Sequence, residues 1–127
     1  MIKGMIRFFE KQSKLSLFIT FVIAGVIFYL SSLTFSAGTS TTNILSIAYH
    51  LISFFFLSAF LLFSLVCGKN KKLISVAILI AIAYALSDEI HQFFVPGRSC
   101  TFSDILLDSV GIMAASVFYT FISLWKK

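Results

Sequence analysis

Residues 73–98 have the sequence LISVAILIAIAYALSDEIHQFFVPGR. The first part of this segment carries no charge, and with the residues up to Val95 it reaches the roughly 20 residues that a helix needs to cross a bilayer. Pro96 and Gly97 then end the helix, because the proline ring clashes with the preceding turn and glycine is conformationally permissive. The segment therefore predicts a transmembrane helix with a polar run, residues 87–92, near one end.

The whole chain has the same apolar character. Of its 127 residues, 59% are hydrophobic and 12% are charged, and the mean hydropathy is +1.02. Soluble domains contain about 45–50% apolar and about 25% charged residues, so the composition excludes a soluble globule. It also excludes a disordered chain, which has low hydrophobicity and high charge. We predict an all-α polytopic membrane protein, a four-helix transmembrane bundle that forms one domain over residues 1–127.

The four spans are expected at about 15–33, 44–67, 73–95 and 103–125. Ser103 is the expected N-cap of the last one. Gly25 and Gly111, in the first and fourth spans, would permit helices to approach closely. Ahead of the first span, basic residues recur at every fourth position, which fits either a short interfacial helix or ordinary flanking charge.

The basic residues predict an orientation. Nine of the ten Lys and Arg residues lie before the first span, between the second and third, or after the fourth, the last two being Lys126 and Lys127. Only Arg98 lies on the other side. The positive-inside rule then predicts a multi-pass protein of the cell membrane with both termini in the cytoplasm. Cys67 and Cys100 fall on opposite sides of the bilayer, so we expect no disulfide.

Most acidic residues collect at the predicted outer side, at the ends of the third and fourth spans. His50 lies roughly 9 Å below the outer end of its own span, at 1.5 Å per residue, which brings it to the depth of these acids. Ionisable side chains inside spans usually face a bundle interior or a water-filled cavity. We predict a polar pocket in the outer third of the bilayer, with solvated ion pairs at a wet helix end as the alternative. The pocket would contain His50, Asp88, Glu89, His91, Gln92, Arg98, Asp104 and Asp108.

These residue types suit more than one chemistry. The candidate catalytic acid and base groups are Asp88, Glu89, His91 and Asp104. The candidate ligand-binding groups are His50, Gln92, Arg98 and Asp108, of which Arg98 could hold a phosphate or carboxylate bidentately. Residues 95–98 have the composition of a type II turn, which would hold Arg98 above the acids. The cofactor stays open, with a divalent cation as the candidate. Its oxygen ligands would be Asp88, Glu89 and Asp104, with Asp108 as a further acid and His50 or His91 added if the metal is softer.

Residues 84–98, YALSDEIHQFFVPGR, together with Asp104, Asp108 and Gly111, resemble the signature of the VanZ-like family. The Ser31-Ser32 pair and His50 resemble earlier landmarks of that family, and the resemblance covers nearly the whole chain. The sequence departs from the family pattern before His50, where residues 46–49 replace a frequent Asp-Lys pair. It departs again at Asp108, where the family commonly has Asn.

The resemblance implies a cell-envelope role with reduced susceptibility to lipid-tailed glycopeptide antibiotics of the teicoplanin type. It implies no particular reaction, so the residues leave an enzyme, a non-enzymatic binding or shielding protein and a small transporter open. The expected partners are membrane lipids and a lipid-like or glycopeptide ligand at the outer face. A homo-oligomer is open, and no nucleic acid is expected.

Overall fold

The computed structural model describes residues 1–34, 44–98 and 100–125, and over these ranges every regular element is a helix. The five helices are α1 (Ile2–Lys11), α2 (Ser13–Ser31), α3 (Ile44–Val66), α4 (Leu73–Phe94) and α5 (Phe102–Leu124). Helices α2 to α5 are long and apolar enough to cross a membrane. The predicted all-α architecture with four candidate spans is thus confirmed. The terminal lysines Lys126 and Lys127 lie outside the described residues.

The last two helices show how local sequence sets the helix ends. Val95 has an extended backbone with ψ 122°, as expected for a residue that precedes proline, and α4 ends just before it. Helix α5 begins at Phe102, and its N-cap is Thr101, with φ −119° and ψ 141°. The expectation of an N-cap at Ser103 was therefore wrong, because the chain has already entered the helix there.

Helix α3 is the centre of the bundle. It packs most extensively against α5 and α2, and it also contacts α4 and α1. Ala77, Ala81 and Ala85 are fully buried on α4, and their spacing of four residues forms one stripe along the helix. Such small side chains let helix backbones approach closely. Large apolar side chains such as those of Phe21 and Phe93 instead lie exposed on the outside, where a bilayer would cover them.

The two glycines singled out in the sequence behave differently. A Cβ atom at Gly111 would lie 2.6 Å from the backbone oxygen of Leu51, so this glycine holds α5 directly against α3. A Cβ atom at Gly25 would meet nothing within 4 Å. The expectation of a close helix approach was right for Gly111 and wrong for Gly25, because Gly25 lies on an exposed part of α2.

The first helix docks on the bundle instead of extending away from it. Ile6 and Glu10 are buried, and the ring of Phe9 lies 5.1 Å from that of Phe60 on α3, centroid to centroid. The ammonium group of Lys3 lies 4.5 Å from the centre of the Trp125 ring. We call this part of the molecule, with the turn between α3 and α4, the α1 end. The predicted orientation would place it in the cytoplasm.

Candidate functional site

The opposite end of the bundle gathers most of the residues that the sequence singles out, and we call it the polar end. His50 is 2% exposed, Glu89 is 1% exposed and Asp108 is 0% exposed, while Asp104 is partly exposed. Three helices, α3, α4 and α5, contribute to this group. The polar end comprises His50, Asp88, Glu89, Gln92, Asp104 and Asp108.

His50 connects α3 to α5. Its Nδ1 atom lies 2.8 Å from Oδ1 of Asp108, and its Nε2 atom lies 3.8 Å from Oδ1 of Asp104. An ionised carboxylate only accepts hydrogen bonds, so Nδ1 carries the proton in this contact. In the neutral imidazole, the lone pair on Nε2 then faces Asp104.

Neither carboxylate oxygen of Glu89 accepts a hydrogen bond from a nitrogen or hydroxyl donor within the described residues. The thiol of Cys100, which is only a weak donor, interacts with this carboxylate. One donor atom each from His50, Glu89 and Asp104 lies within 4.8 Å of the others. Asp108 uses only one of its two oxygens in hydrogen bonding within the same ranges. Burying a carboxylate without partners is costly, and such costs are characteristic of sites that bind or transform a ligand.

Asp88 and Gln92 lie on a different face of α4. The Nε2 atom of Gln92 donates to Oδ2 of Asp88 at 2.9 Å and to Oγ of Ser31 on α2 at 3.4 Å. Because neighbouring residues of a helix point about 100° apart, Asp88 turns towards α2 when Glu89 faces His50. The structure therefore brings His50, and not Asp88, together with Glu89 and Asp104.

His91 lies apart from the His50 group. Its Nε2 atom is 2.9 Å from Oγ of Ser32, and its ring stacks on Phe28 with the centroids 4.5 Å apart. Both partners belong to the end of α2. The structure therefore gives His91 a contact with α2, and its suggested role as an acid or base stays a prediction.

Arg98 follows the predicted type II turn. The amide of Arg98 donates to the oxygen of Val95 at 3.1 Å, and Gly97 has φ 79°, the left-handed value that this turn requires. The guanidinium donates from Nη2 to the oxygen of Leu30 at 2.6 Å and from Nε to that of Leu33 at 3.3 Å. Arg98 thus adds hydrogen bonds to carbonyl groups at the end of α2, the end of a helix that favours a cation.

Two features of the polar end escaped the sequence analysis. Tyr49 lies edge-on to His50, with ring centroids 5.3 Å apart, and it borders a groove of about 280 Å³ between α2 and α3. Thr101 donates a hydrogen bond from its hydroxyl to Asp104. Tyrosine and threonine do not by their residue type indicate a functional role in an apolar chain. Only the position of Tyr49 next to His50 in the sequence could have pointed to it.

A second buried carboxylate lies at the α1 end, and it too was missed. The hydroxyl of Tyr119 donates to Oε1 of Glu10 at 2.8 Å and accepts from the amide of Gly68 at 3.1 Å. Gly68 has φ 67°, and a Cβ atom there would lie 3.1 Å from Oε2 of Glu10. The sequence analysis did not single out Glu10, because only the docking of α1 buries it.

Both cysteines have unpaired thiols. Cys67 donates to the oxygen of Ser64 at 3.0 Å, and Cys100 is exposed in the turn before α5. Partial desolvation, followed by the negative charge of nearby Glu89 and a hydrogen bond to its side chain, raises the pKa of the Cys100 thiol above its ordinary value. The pKa of the Cys100 thiol therefore depends on the charge of the polar end, although Cys100 lies outside the spans.

Comparison with known proteins gives one family. The profile of the VanZ/LLP1 family matches residues 8–123, a range that contains the whole polar end as well as Glu10 and Tyr119. No curated protein matches the chain, and no solved structure matches it.

Proposed function

This chain belongs to the VanZ-like family, and from that membership and its polar end we propose that it lowers susceptibility to lipid-tailed glycopeptide antibiotics of the teicoplanin type. In this proposal the protein lies in the cell membrane with the polar end in the outer leaflet. The polar end binds a lipid-like ligand, or an anionic group of one, and so changes what the antibiotic meets at the membrane surface.

The observation that carries the proposal is the pair of carboxylate oxygens on Glu89. They are buried beside His50 and Asp104 and lack a hydrogen bond from a nitrogen or hydroxyl donor within the described residues. A group of this kind destabilises a fold, so its presence supports a binding role over a purely structural one.

The groove beside Tyr49 supports a ligand with a lipid tail. It is apolar, it lies between α2 and α3, and it includes Leu30 and Phe56 as well as Tyr49. Tyr49 also contacts His50, so one lining residue of the groove adjoins the polar end. A ligand with its head at the polar end would lay its acyl chain along this groove.

Antibiotic susceptibility tests the proposal. Cells that lack the chain are compared with cells that express it, using teicoplanin and a glycopeptide without a lipid tail as the matched control. We expect a several-fold higher inhibitory concentration for teicoplanin only, lost in His50→Gln although that protein still accumulates. Equal susceptibility with and without the wild-type chain would contradict the proposal.

The orientation is tested separately. An impermeant thiol reagent on intact cells should label Cys100 in the wild-type protein. It should label a cysteine introduced by Lys69→Cys, in a background with Cys67→Ser and Cys100→Ser, only after permeabilisation. Lys69 is exposed in the turn at the α1 end, so protection there reports the membrane and not burial. The reverse pattern would place the polar end in the cytoplasm and remove the outer-leaflet role.

One observation favours an enzyme as the second candidate. Asp108 orients His50 by a 2.8 Å hydrogen bond, an arrangement that suits a general base, and Glu89 stands beside it as a second acid or base group. Incubation of the purified protein with envelope lipids distinguishes the two: a product that disappears in Glu89→Gln identifies an enzyme, and binding without a product identifies a binding protein.

A further inference from the structure

We infer that the polar end binds one divalent transition-metal ion of the zinc class through Nε2 of His50 and carboxylate oxygens of Glu89 and Asp104. The three side chains come from α3, α4 and α5, which the fold holds together around them. The sequence offered four acids as ligands, with His50 or His91 added for a softer metal. The structure groups His50 with Glu89 and Asp104 and leaves Asp88 and His91 out of the set.

The donor atoms have the separation that such a site needs. They lie within 4.8 Å of one another, and Nε2 of His50 is 3.8 Å from Oδ1 of Asp104. Zinc binds nitrogen and oxygen ligands at about 2.0–2.2 Å, which places neighbouring ligands of a tetrahedral ion about 3.4 Å apart. Side-chain adjustments of a few tenths of an ångström to about an ångström therefore close the site.

Asp108 orients His50 and would not itself contact the ion. A metal-binding histidine almost always donates its other ring N–H to a carboxylate or carbonyl, which fixes the tautomer and the ring orientation. The hydrogen bond of 2.8 Å between Nδ1 of His50 and Asp108 has this geometry, and it leaves the lone pair of Nε2 for the ion. This feature distinguishes the site from a chance group of acids.

Glu89 provides independent support for a cation. The side chain is 1% exposed, and within the described residues neither oxygen accepts a hydrogen bond from a nitrogen or hydroxyl donor. A bound dication would satisfy these oxygens and offset the repulsion among Glu89, Asp104 and Asp108. Asp104, with a side chain that is 19% exposed, gives the ion a route from solvent.

The donor set also selects the type of metal. Imidazole suits zinc, iron and other transition metals, whereas magnesium and calcium prefer oxygen ligands alone. Three protein ligands leave a coordination position open, as in zinc sites that act on ligands. In the proposed function, that position would take the anionic group of the lipid-like ligand, but the metal site itself does not depend on that role.

Zinc binding by the purified protein tests the inference. The full chain is isolated in detergent through a tag without histidine, stripped with EDTA and titrated with Zn²⁺. We expect about one zinc per folded chain, not displaced by millimolar Mg²⁺. Glu89→Gln and His50→Gln should each lose at least tenfold in affinity, and Asp108→Asn about 10–100-fold through the orientation of His50. A matched control is Glu10→Gln, which removes a buried carboxylate at the α1 end and should bind zinc as the wild type does.

Wild-type affinity in both Glu89→Gln and His50→Gln would overturn the inference, and so would the absence of stoichiometric zinc or its displacement by Mg²⁺. If the variants fail to fold, Co²⁺ in the wild-type protein gives the answer. Intense visible absorption typical of four or five ligands supports the site, and the weak spectrum of an octahedral, water-bound ion contradicts it. Zinc binding without protection against teicoplanin would refute the proposed function alone, and protection without zinc would refute this inference alone.

Discussion

The molecule buries one glutamate at each end, and the two differ in how they are satisfied. Glu10 accepts a hydrogen bond from Tyr119, which in turn accepts one from the amide of Gly68. Glu89 lies at least as deeply buried, at 1% against 9% exposed, but its oxygens have no such partners within the described residues.

This difference indicates that Glu10 has a structural role and that Glu89 is available to bind a ligand. Satisfied buried polar groups strengthen a fold, whereas unsatisfied ones weaken it. Binding and catalytic sites often retain such groups at a cost in stability. We therefore assign the α1 end to holding α1 on the bundle and the polar end to function.

The largest expected effect comes from Gly111, one turn beyond Asp108 on α5. Gly111→Ala places a Cβ atom 2.6 Å from the backbone oxygen of Leu51, so α5 must move away from α3. We expect a loss of roughly 3 kcal/mol, at the upper end of typical overpacking costs, and loss of the contact between His50 and Asp108. Thermal unfolding and zinc affinity measure the two effects. Gly25→Ala, which meets nothing within 4 Å, is the control and should change neither.

A smaller effect is expected at the α1 end. Tyr119→Phe removes the hydroxyl that joins Glu10 to Gly68 and should cost about 1–3 kcal/mol, because it leaves buried polar groups unsatisfied. Limited trypsin digestion should then cut faster at Arg7 and Lys11, as α1 detaches. Zinc affinity and teicoplanin susceptibility should stay at wild-type levels. Loss of zinc binding in this variant would contradict the assignment of a structural role to the α1 end and of a binding role to the polar end.

Arg98 should show a smaller change again. It donates to the oxygens of Leu30 and Leu33, so Arg98→Ala should cost about 0.5–1.5 kcal/mol for each lost bond. Arg98→Lys keeps a donor and a charge near the end of α2 and should leave teicoplanin susceptibility nearly unchanged. A lysine variant that folds but loses protection would show instead that the planar guanidinium grips a ligand.

The smallest effect is a change of labelling rate at Cys100. Partial desolvation and then the charge of Glu89 raise the pKa of this thiol, so at neutral pH it holds less of the reactive thiolate than an ordinary cysteine does. Maleimide labelling should therefore be slow and should rise about tenfold per pH unit below the pKa. Glu89→Gln should lower the pKa and speed labelling at pH 7.5 by a few-fold. Equal rates in both proteins would mean that Glu89 carries no charge.

The sequence was most informative where a single physical rule dominates. Hydropathy gave the four spans, and the proline rule placed the end of the third span at Val95, one residue beyond Phe94, where α4 ends. The helical rise per residue placed His50 at the depth of the acids. These features depend on composition and on rise per residue, which need no tertiary contact.

Features that depend on which way a helix face turns were not accessible. Asp88 and Gln92 are four residues apart, so helical spacing alone puts them on one face. Only the packing of α4 shows that this face turns to α2 while Glu89 meets the His50 group. Burial of Glu10 likewise requires α1 to fold back on the bundle. Rotation of a helix about its axis is set by all its neighbours together, so neither outcome follows from spacing alone.

The most direct test of the account compares Glu89→Gln with Glu10→Gln. Each swap removes one buried charge and keeps the shape of the side chain, and each metal-free protein is followed by thermal unfolding in detergent. We predict that Glu89→Gln melts at or above the wild-type temperature, because an unsatisfied carboxylate is gone, and that Glu10→Gln melts lower. A lower melting temperature for Glu89→Gln than for Glu10→Gln would contradict the account, since Glu89 would then stabilise the fold and the polar end would be structural.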